Sequence, residues 1–308
     1  MVLTMPMRAL VVGASGFVGQ HLVAHLRDRG DEVVASDRAS GGPDICDAPA
    51  ITEHIEDLRP EVIYHLAGQS DVARSWTDAV PTFRTNVEGL LNVLAAARAA
   101  DVRRVVAVIS ADVYGMVTPD QLPLTESTPM RPVNPYGASK VAADFVGLQA
   151  YLGYGQDVVR VRPFTHIGPQ QSDRFVASAL ASRIALAERD GRDEITVGTL
   201  DTRRDFTDVR DVVRAYRLLA EHGQSGDVYN VATGVDAAIQ DIADTLVSLS
   251  TRAIRLVPDP ALIRPADIPV LRGDATKLHE LTGWKPEIPL STTLADMLDD
   301  WRLRVGVR

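Results

Sequence analysis

Cysteine is almost missing from this chain of 308 residues: Cys46 is the one present. A single thiol excludes an internal disulfide and a cysteine metal cluster, and it suits a reducing, cytoplasmic setting. Long apolar runs are missing too. No stretch reaches the ~18 residues expected of a membrane span. Met1 to Arg8 is too short for the basic region and apolar core of a secretion leader. A positive surplus is also absent: 32 Lys and Arg face 41 Asp and Glu, a net charge of -9. That balance argues against nucleic acid or an anionic membrane as the main partner, while leaving room for a local basic pocket. No His, Asp and Glu grouping has metal-ligand spacing, so no metal is expected. Repeats and low-complexity tracts are lacking. What remains is an ordinary globular composition, 45% apolar and 24% charged, long enough for one large or two smaller cores.

The richest stretch is Val108–Lys140, VISADVYGMVTPDQLPLTESTPMRPVNPYGASK. An apolar strand ends in Ser110-Ala111-Asp112. Tyr136 and Lys140 follow, four apart on a predicted helix and so on one face of it. An ammonium beside a phenol favours the phenolate, which predicts a Tyr136 pKa below the usual value of about 10. Such a tyrosine exchanges a proton with a substrate hydroxyl or carbonyl, and Ser110 can hold the same oxygen. Tyr-x-x-x-Lys also arises on many helices by chance, so its surroundings decide its weight.

Those surroundings begin at the N-terminus. Arg8–Val12 reads as a buried strand, GASGFVG follows, and Phe17–Arg29 has helical spacing with Gly30 as its stop. A second strand, Glu32–Ser36, leads to Asp37 and Arg38. Gly13 permits the tight turn, Gly16 lets a pyrophosphate approach the backbone, and Gly19 lets the helix lie against the sheet. Unpaired helix amides near Ser15, Phe17 and Val18 complete a phosphate site. Asp37 can accept from an adenosine ribose, which favours NAD; Arg38 can pair with a 2′-phosphate, which favours NADP. Both are present, so the choice stays open. Either residue is also an ordinary solvated charge.

Further along, GPDICD predicts a short third strand, placing Asp44 and Ile45 near an adenine. Helix 49–58, strand 61–67 and helix 82–100 follow. The fourth strand ends in HLAGQ, so Leu66, Ala67 and Gly68 should pass beneath a cofactor, with Gln69 beyond. His65 lies within the apolar run and reads as a packed strand residue. Asn86 is polar inside an apolar helix pattern and can brace the nearby backbone. Strands 103–110 and 157–162 flank helix 136–152, and Pro163 ends the last strand. Valine-rich strands without alternation, separated by helices, mean a parallel sheet covered on both faces. Ligands bind at the C-terminal ends of such strands.

After Pro163 the texture changes. Residues 163–175 read as a loop carrying Thr165, His166 and Arg174, and 199–208 as a second loop before a helix near Val209. Helices at 175–188, 239–249 and 292–302 and strands at 194–198, 227–230 and 254–257 are too scattered for a second sheet of the first kind. They predict a smaller substrate domain, 166–308, partly woven back into a dinucleotide domain, 1–165. Arg174, Arg203, Arg204, Arg264 and Arg272 stand beside turns. Arginine forks onto phosphate, so a diphosphate substrate would use one or two of them.

With GASGFVG, HLAGQSDVARSW, SADVYG, NPYGASK, VRPFTHIGP and RRDFTDVRDVV in place, the whole chain resembles the extended short-chain dehydrogenase/reductases that act on nucleotide sugars. Within them, YGMVTPDQLPLTESTPMRPVNPYGASK, HIGPQQSDRFV and IRPADIPVLRGDATKLHELTGWKPEIPL are most similar to the GDP-4-keto-6-deoxy-D-mannose reductases. The resemblance implies α/β architecture, a Rossmann-type doubly wound parallel sheet with a smaller C-terminal α/β domain. It implies Ser110, Tyr136 and Lys140 as catalytic triad, Lys140 also holding the nicotinamide ribose, and Asp44 and Ile45 at the adenine. It implies Arg204 on the substrate diphosphate, Arg264 at the nucleotide end, and a homodimer through the helices at 82–100 and 136–152. Three positions depart from family patterns. Ala111 replaces the first acid of dTDP-glucose-type dehydratases, which disfavours water elimination, although GDP-mannose dehydratases keep only the second acid, here Asp112. Thr165 replaces a sugar-contacting asparagine. Asp37 accompanies Arg38. The expected activity is NAD(P)H-dependent reduction of a nucleotide-linked 4-keto-6-deoxyhexose. A 4-epimerase, a GDP-mannose 4,6-dehydratase and a noncatalytic NAD(P)-binding scaffold are the alternatives.

Overall fold

A computed structural model describes residues 6–262 and 268–307. The first half runs β1 (Arg8–Val12), α1 (Phe17–Asp28), β2 (Glu32–Ser36), α2 (Ala48–Leu58), β3 (Val62–His65), α3 (Val72–Thr77), α4 (Ala79–Phe83), α5 (Gly89–Ala99), β4 (Arg104–Val108), α6 (Pro135–Tyr154) and β5 (Val158–Pro163). The second half continues β6 (Thr165–Ile167), α7 (Val176–Asp190), β7 (Glu194–Val197), β8 (Arg203–Asp208), α8 (Val209–His222), β9 (Val228–Val231), β10 (Asp236–Ala238), α9 (Ile239–Ser248), β11 (Arg255–Pro258), β12 (Val270–Leu271), α10 (Thr276–Thr282) and α11 (Leu290–Val305).

Six strands form a parallel sheet in the order β2-β1-β3-β4-β5-β9. Alternate residues of each strand point to opposite faces. Leu10, Ile63 and Val105 therefore join Ile51, Ile55, Leu90 and Leu94 of α2 and α5 on one face. Ala9, Val11, Val62 and Val106 join Leu22 and Leu26 of α1 and Val212 and Leu219 of α8 on the other. Each fully buried aliphatic side chain contributes roughly 1.5–3 kcal/mol. The chain leaves β1 toward β2 on one side and reaches β3 on the other. That reversal opens a crevice above the C-terminal ends of β1 and β3.

A third core joins α7, α9 and α11 with β7, through Leu180, Ile184, Ile242, Leu246 and Leu298. β8 pairs with β6, β10 and β12, while β7 pairs with β11. The second half also sends β9 into the main sheet, beside β5. Among the described residues no helix is long and apolar enough to cross a membrane.

Four local expectations need correction. GPDICD is a turn: Asp44 Oδ1 accepts from the Cys46 amide at 2.9 Å and the Asp44 carbonyl from the Asp47 amide at 2.9 Å, and Pro43 has no N–H to give a ladder. Residues 165–167 and 203–208 are strands, because 165–167 pair with 206–208 and 203–205 pair with β10 and β12, all distant in the chain. The helix expected over 82–100 begins earlier, at Ala79, and is interrupted by a π-helical turn, Arg84–Glu88.

Candidate active site

The glycine loop forms one end of a cleft of about 2130 Å³ along the strand ends. Gly13 has φ +92°, and a Cβ there would sit 2.6 Å from the Ala67 amide nitrogen. A Cβ on Gly19 would lie 2.3 Å from the Gly13 carbonyl oxygen. These two glycines set the closeness of loop, β3 end and helix. Gly16 is the N-cap of α1 and gives its first turn no side-chain cap, so amides there stay available to a phosphate. Ser15, Phe17 and Val18 line the same wall, with Leu66, Ala67 and Gly68 beneath it and Pro163 at the far end. A dinucleotide fits this cradle: the first turn of α1 has no side-chain cap, and the loop packs on the β3 end and α1 as closely as glycine alone allows.

The helix carrying Tyr136 starts by capping. Asn134 accepts from the Gly137 amide at 2.7 Å, and Pro135 occupies the first turn. Tyr136, Lys140, Ala143, Gly147 and Ala150 are buried on one stripe of α6, so the i,i+4 pair faces the strand ends rather than solvent. Ser110 follows β4, its Oγ accepting from the Asp112 amide at 3.1 Å and donating to Asp112 Oδ2 at 3.3 Å. Serine, tyrosine, lysine and Asp112 thus meet in one place.

The electrostatics differ from the expectation for Tyr136. Burial, and then the Asp112 carboxylate, raise its pKa above the usual phenol value; the Ser110 hydrogen bond opposes this. The phenolate is disfavoured because its charge would be desolvated. Lys140 donates to the Val108 carbonyl at 3.0 Å, and burial lowers its own pKa to about 8. The ammonium is therefore turned to the backbone.

Behind this wall the π-helical turn aims Asn86 inward. Its Oδ1 accepts from the Gln69 amide at 2.8 Å, and its Nδ2 donates to the Gln69 carbonyl at 3.1 Å and to Ser139 Oγ at 2.9 Å. Asn86 does not line the cleft itself; it ties the β3 end to α6. His65 is buried beneath, its pKa lowered to about 3 by burial and by Lys140.

On the opposite rim stand Thr165, His166, Arg174 and Arg204. His166 lies parallel to Phe17 with ring centroids 6.2 Å apart, and its Nδ1 meets the Phe164 carbonyl oxygen at 3.0 Å. Burial lowers its pKa. Arg204 donates to the Ile268 carbonyl at 2.7 Å and Arg174 is exposed at the mouth. Gln69 lines the cleft, although its side chain donates to Thr82 Oγ1 at 3.0 Å. Arg203 and Arg272 turn elsewhere, both pairing with Asp236. Arg264 lies outside the described residues.

The model of the GDP-mannose 4,6 dehydratase family matches residues 41–297. The chain belongs to that family of extended short-chain dehydrogenase/reductases. It is 38% identical to the GDP-6-deoxy-D-mannose reductase of Pseudomonas aeruginosa, covering 98% of this chain and 99% of that one. It is similar to the solved structure of RMD from Pseudomonas aeruginosa complexed with NADPH, with a TM-score of 0.87 and 36% identity over 96% of this chain and 99% of that one. It is also similar to the UDP-glucose 4-epimerase of Thermus thermophilus in complex with NAD, with a TM-score of 0.86 and 28% identity over 96% and 99%.

This member of the family also places in its cleft residues that sequence reasoning passed over. Arg183, from α7, lines it while donating to the Thr196 carbonyl at 2.7 Å. Trp76, from α3, lines it at 57% exposure. Tyr216, from α8, lies under it, fully buried. Neither Arg183 nor Trp76 carries a local signal, because the folding of α3 and α7 over the crevice is what brings them there. Tyr216 could have been suspected as a phenol on an otherwise aliphatic helix stripe.

Proposed function

We propose that this protein reduces the C4 ketone of a nucleotide-linked 4-keto-6-deoxyhexose with NAD(P)H, converting GDP-4-keto-6-deoxy-D-mannose to GDP-D-rhamnose. The observation that carries this reading is the place of Tyr136: a buried phenol hydrogen-bonded to Ser110, in the same cleft as the glycine loop at the strand ends. A reductase needs its acid loaded at the start of the step. The resemblance to a GDP-6-deoxy-D-mannose reductase over nearly the whole chain supports the same substrate.

The cofactor is held by Gly13, Gly16 and Gly19 with Ser15, Phe17 and Val18 at the pyrophosphate, and by Asp37, Arg38, Asp44 and Ile45 at the adenosine end. Leu66, Ala67, Gly68 and Pro163 form its floor, with Asn86 bracing that floor from behind. A bound, reduced nicotinamide supplies the hydride. Tyr136 gives its phenolic proton to the oxygen that was the carbonyl, and Ser110 hydrogen-bonds that oxygen as charge develops on it. Lys140, fixed to Val108, holds the nicotinamide ribose. Asp112, Gln69, Thr165 and His166 face the sugar, while Arg174 and Arg204, aided by Arg264, take the diphosphate and base. Holding both reactants in one cleft turns a collision into an intramolecular step.

Residues 1–165 serve the cofactor and 166–308 the nucleotide sugar, with β9 returned to the first sheet. The assembly is a cytoplasmic homodimer through α5 and α6. Leu91, Phe145 and Leu152 support that surface, standing 45%, 54% and 71% exposed on those helices.

The test is absorbance at 340 nm with GDP-4-keto-6-deoxy-D-mannose and either NADH or NADPH. Substrate-dependent loss of signal is expected. Asp112 beside Ser110 favours one second reading, a 4,6-dehydratase. Formation of keto sugar from GDP-mannose without added cofactor, and no loss at 340 nm, would establish that reading instead.

A further inference from the structure

The adenosine end of the cleft holds a charge arrangement that the sequence leaves ambiguous. Asp37 caps a short 3₁₀ turn, Arg38–Ser40, its Oδ1 accepting from the Ala39 amide at 2.9 Å. The turn ends at Gly41, with φ +84°, and the Gly42 amide folds back onto the Asp37 carbonyl at 2.8 Å. This reversal brings Asp44 against Arg38, with Nη1 3.0 Å from Oδ2. The partners are unequal. Asp44 is anchored, since its Oδ1 accepts from the Cys46 amide at 2.9 Å, and that bond and Arg38 hold its carboxyl below the ordinary range. Arg38 is a long side chain, 75% exposed, with a choice of partners.

We infer that Asp44 acts as a latch on Arg38 and sets the preference between the two dinucleotides. The inference rests on the proposed adenosine site. A ribose 2′-hydroxyl is served by Asp37 without moving Arg38. A 2′-phosphate draws on the Arg38 fork and so competes with Asp44, which holds Nη1 of that fork. This competition acts against the phosphorylated dinucleotide alone. Asp44 therefore determines specificity by holding another residue, whatever contact it makes with the base.

The experiment measures dissociation constants of NADH and NADPH for the full chain by fluorescence titration at low and high salt. It compares the unaltered protein, Asp44→Asn, Arg38→Ala and the double variant. Asparagine keeps an acceptor for the Cys46 amide, so the turn is retained. The quantity read is the ratio of the two constants, in which any shared loss of base contact cancels. Asp44→Asn should shift that ratio toward NADPH by about three- to fivefold, the range of a solvent-exposed ion pair, and high salt should shrink the shift. In the Arg38→Ala background the same change should move the ratio by less than about twofold. An unchanged ratio in Asp44→Asn overturns the latch. An equal shift in the Arg38→Ala background also overturns it, since Asp44 would then repel the phosphate directly. Binding of neither dinucleotide to the unaltered protein overturns the cofactor reading itself, and the latch with it.

Discussion

Lys140 gives its ammonium to the Val108 carbonyl across 3.0 Å, joining the helix that carries Tyr136 to the end of the strand that precedes Ser110. The bond is made at a cost, because the charge is buried and its pKa falls from 10.5 to about 8. A lysine with a depressed folded pKa costs stability fully below pH 8, and the cost is relieved as pH rises toward 10.5. Unfolding of wild type and Lys140→Met from pH 7 to 10 should therefore show the difference moving in favour of wild type above pH 8. The movement should be on the order of 1–3 kcal/mol. A difference that stays flat across that window would remove the buried ammonium from the account. Turnover of Lys140→Met should fall by roughly 10² or more.

Tyr136→Phe deletes one hydroxyl and keeps the ring. Turnover should drop by roughly 10²–10⁴, while NAD(P)H dissociation constants stay within about threefold of wild type. Titration and steady-state rates on the same preparation decide it. Equal losses in both would mean that the phenol holds the cofactor rather than the proton.

The three glycines of the loop should respond differently. Gly13→Ala meets φ +92° and the Ala67 backbone, and Gly19→Ala meets the Gly13 carbonyl; each should destabilise the fold by several kcal/mol, as overpacking and strain do. Gly16 has φ −67° and an added Cβ 3.3 Å from the nearest atom. Gly16→Ala should fold with a melting temperature near that of wild type yet bind dinucleotide at least tenfold more weakly, since the Cβ would face the pyrophosphate. Thermal melts beside binding titrations test the contrast.

In the smaller core, Glu188 accepts from Arg302 Nε and Nη2, each at 2.8 Å, and fastens α7 to α11. Hydrogen bonding from Arg302 lowers the Glu188 pKa to about 2. The stability from this lowered acid is present above about pH 4.5 and is lost as pH falls toward 2. Glu188→Gln should destabilise the protein by about 1.5–3 kcal/mol at pH 7, and the gap to wild type should close in acid melts. A gap of the same size at pH 3 and pH 7 would contradict the ion pair.

Much of the molecule was readable before folding because its signals are local. β1, the glycine turn and α1 lie in register over twenty residues, and Asn134-Pro135 announces the start of α6. Apart from the local turn at Asp44, what failed was non-local. Thr165–Ile167 and Arg203–Asp208 form strands because they find each other and, for the second, β10 and β12, and nothing in either segment alone encodes a partner. The π-helical turn at Asn86 escaped for a similar reason: its apolar spacing looks like ordinary helix, while its value lies in reaching Gln69 and Ser139.

By itself the sequence determined the doubly wound sheet, the dinucleotide cradle and the shared helix face of Tyr136 and Lys140, because backbone sterics and side-chain periodicity act over a few residues. Tertiary structure decided which arginines face the cleft. It turned Arg203 and Arg272 to Asp236 and brought in Arg183. It also decided how the acid is tuned. Spacing predicted a Tyr136 pKa lowered by Lys140, whereas burial and Asp112 raise it. Desolvation and the distance between charges depend on what the whole chain packs around a group, and no local spacing specifies that.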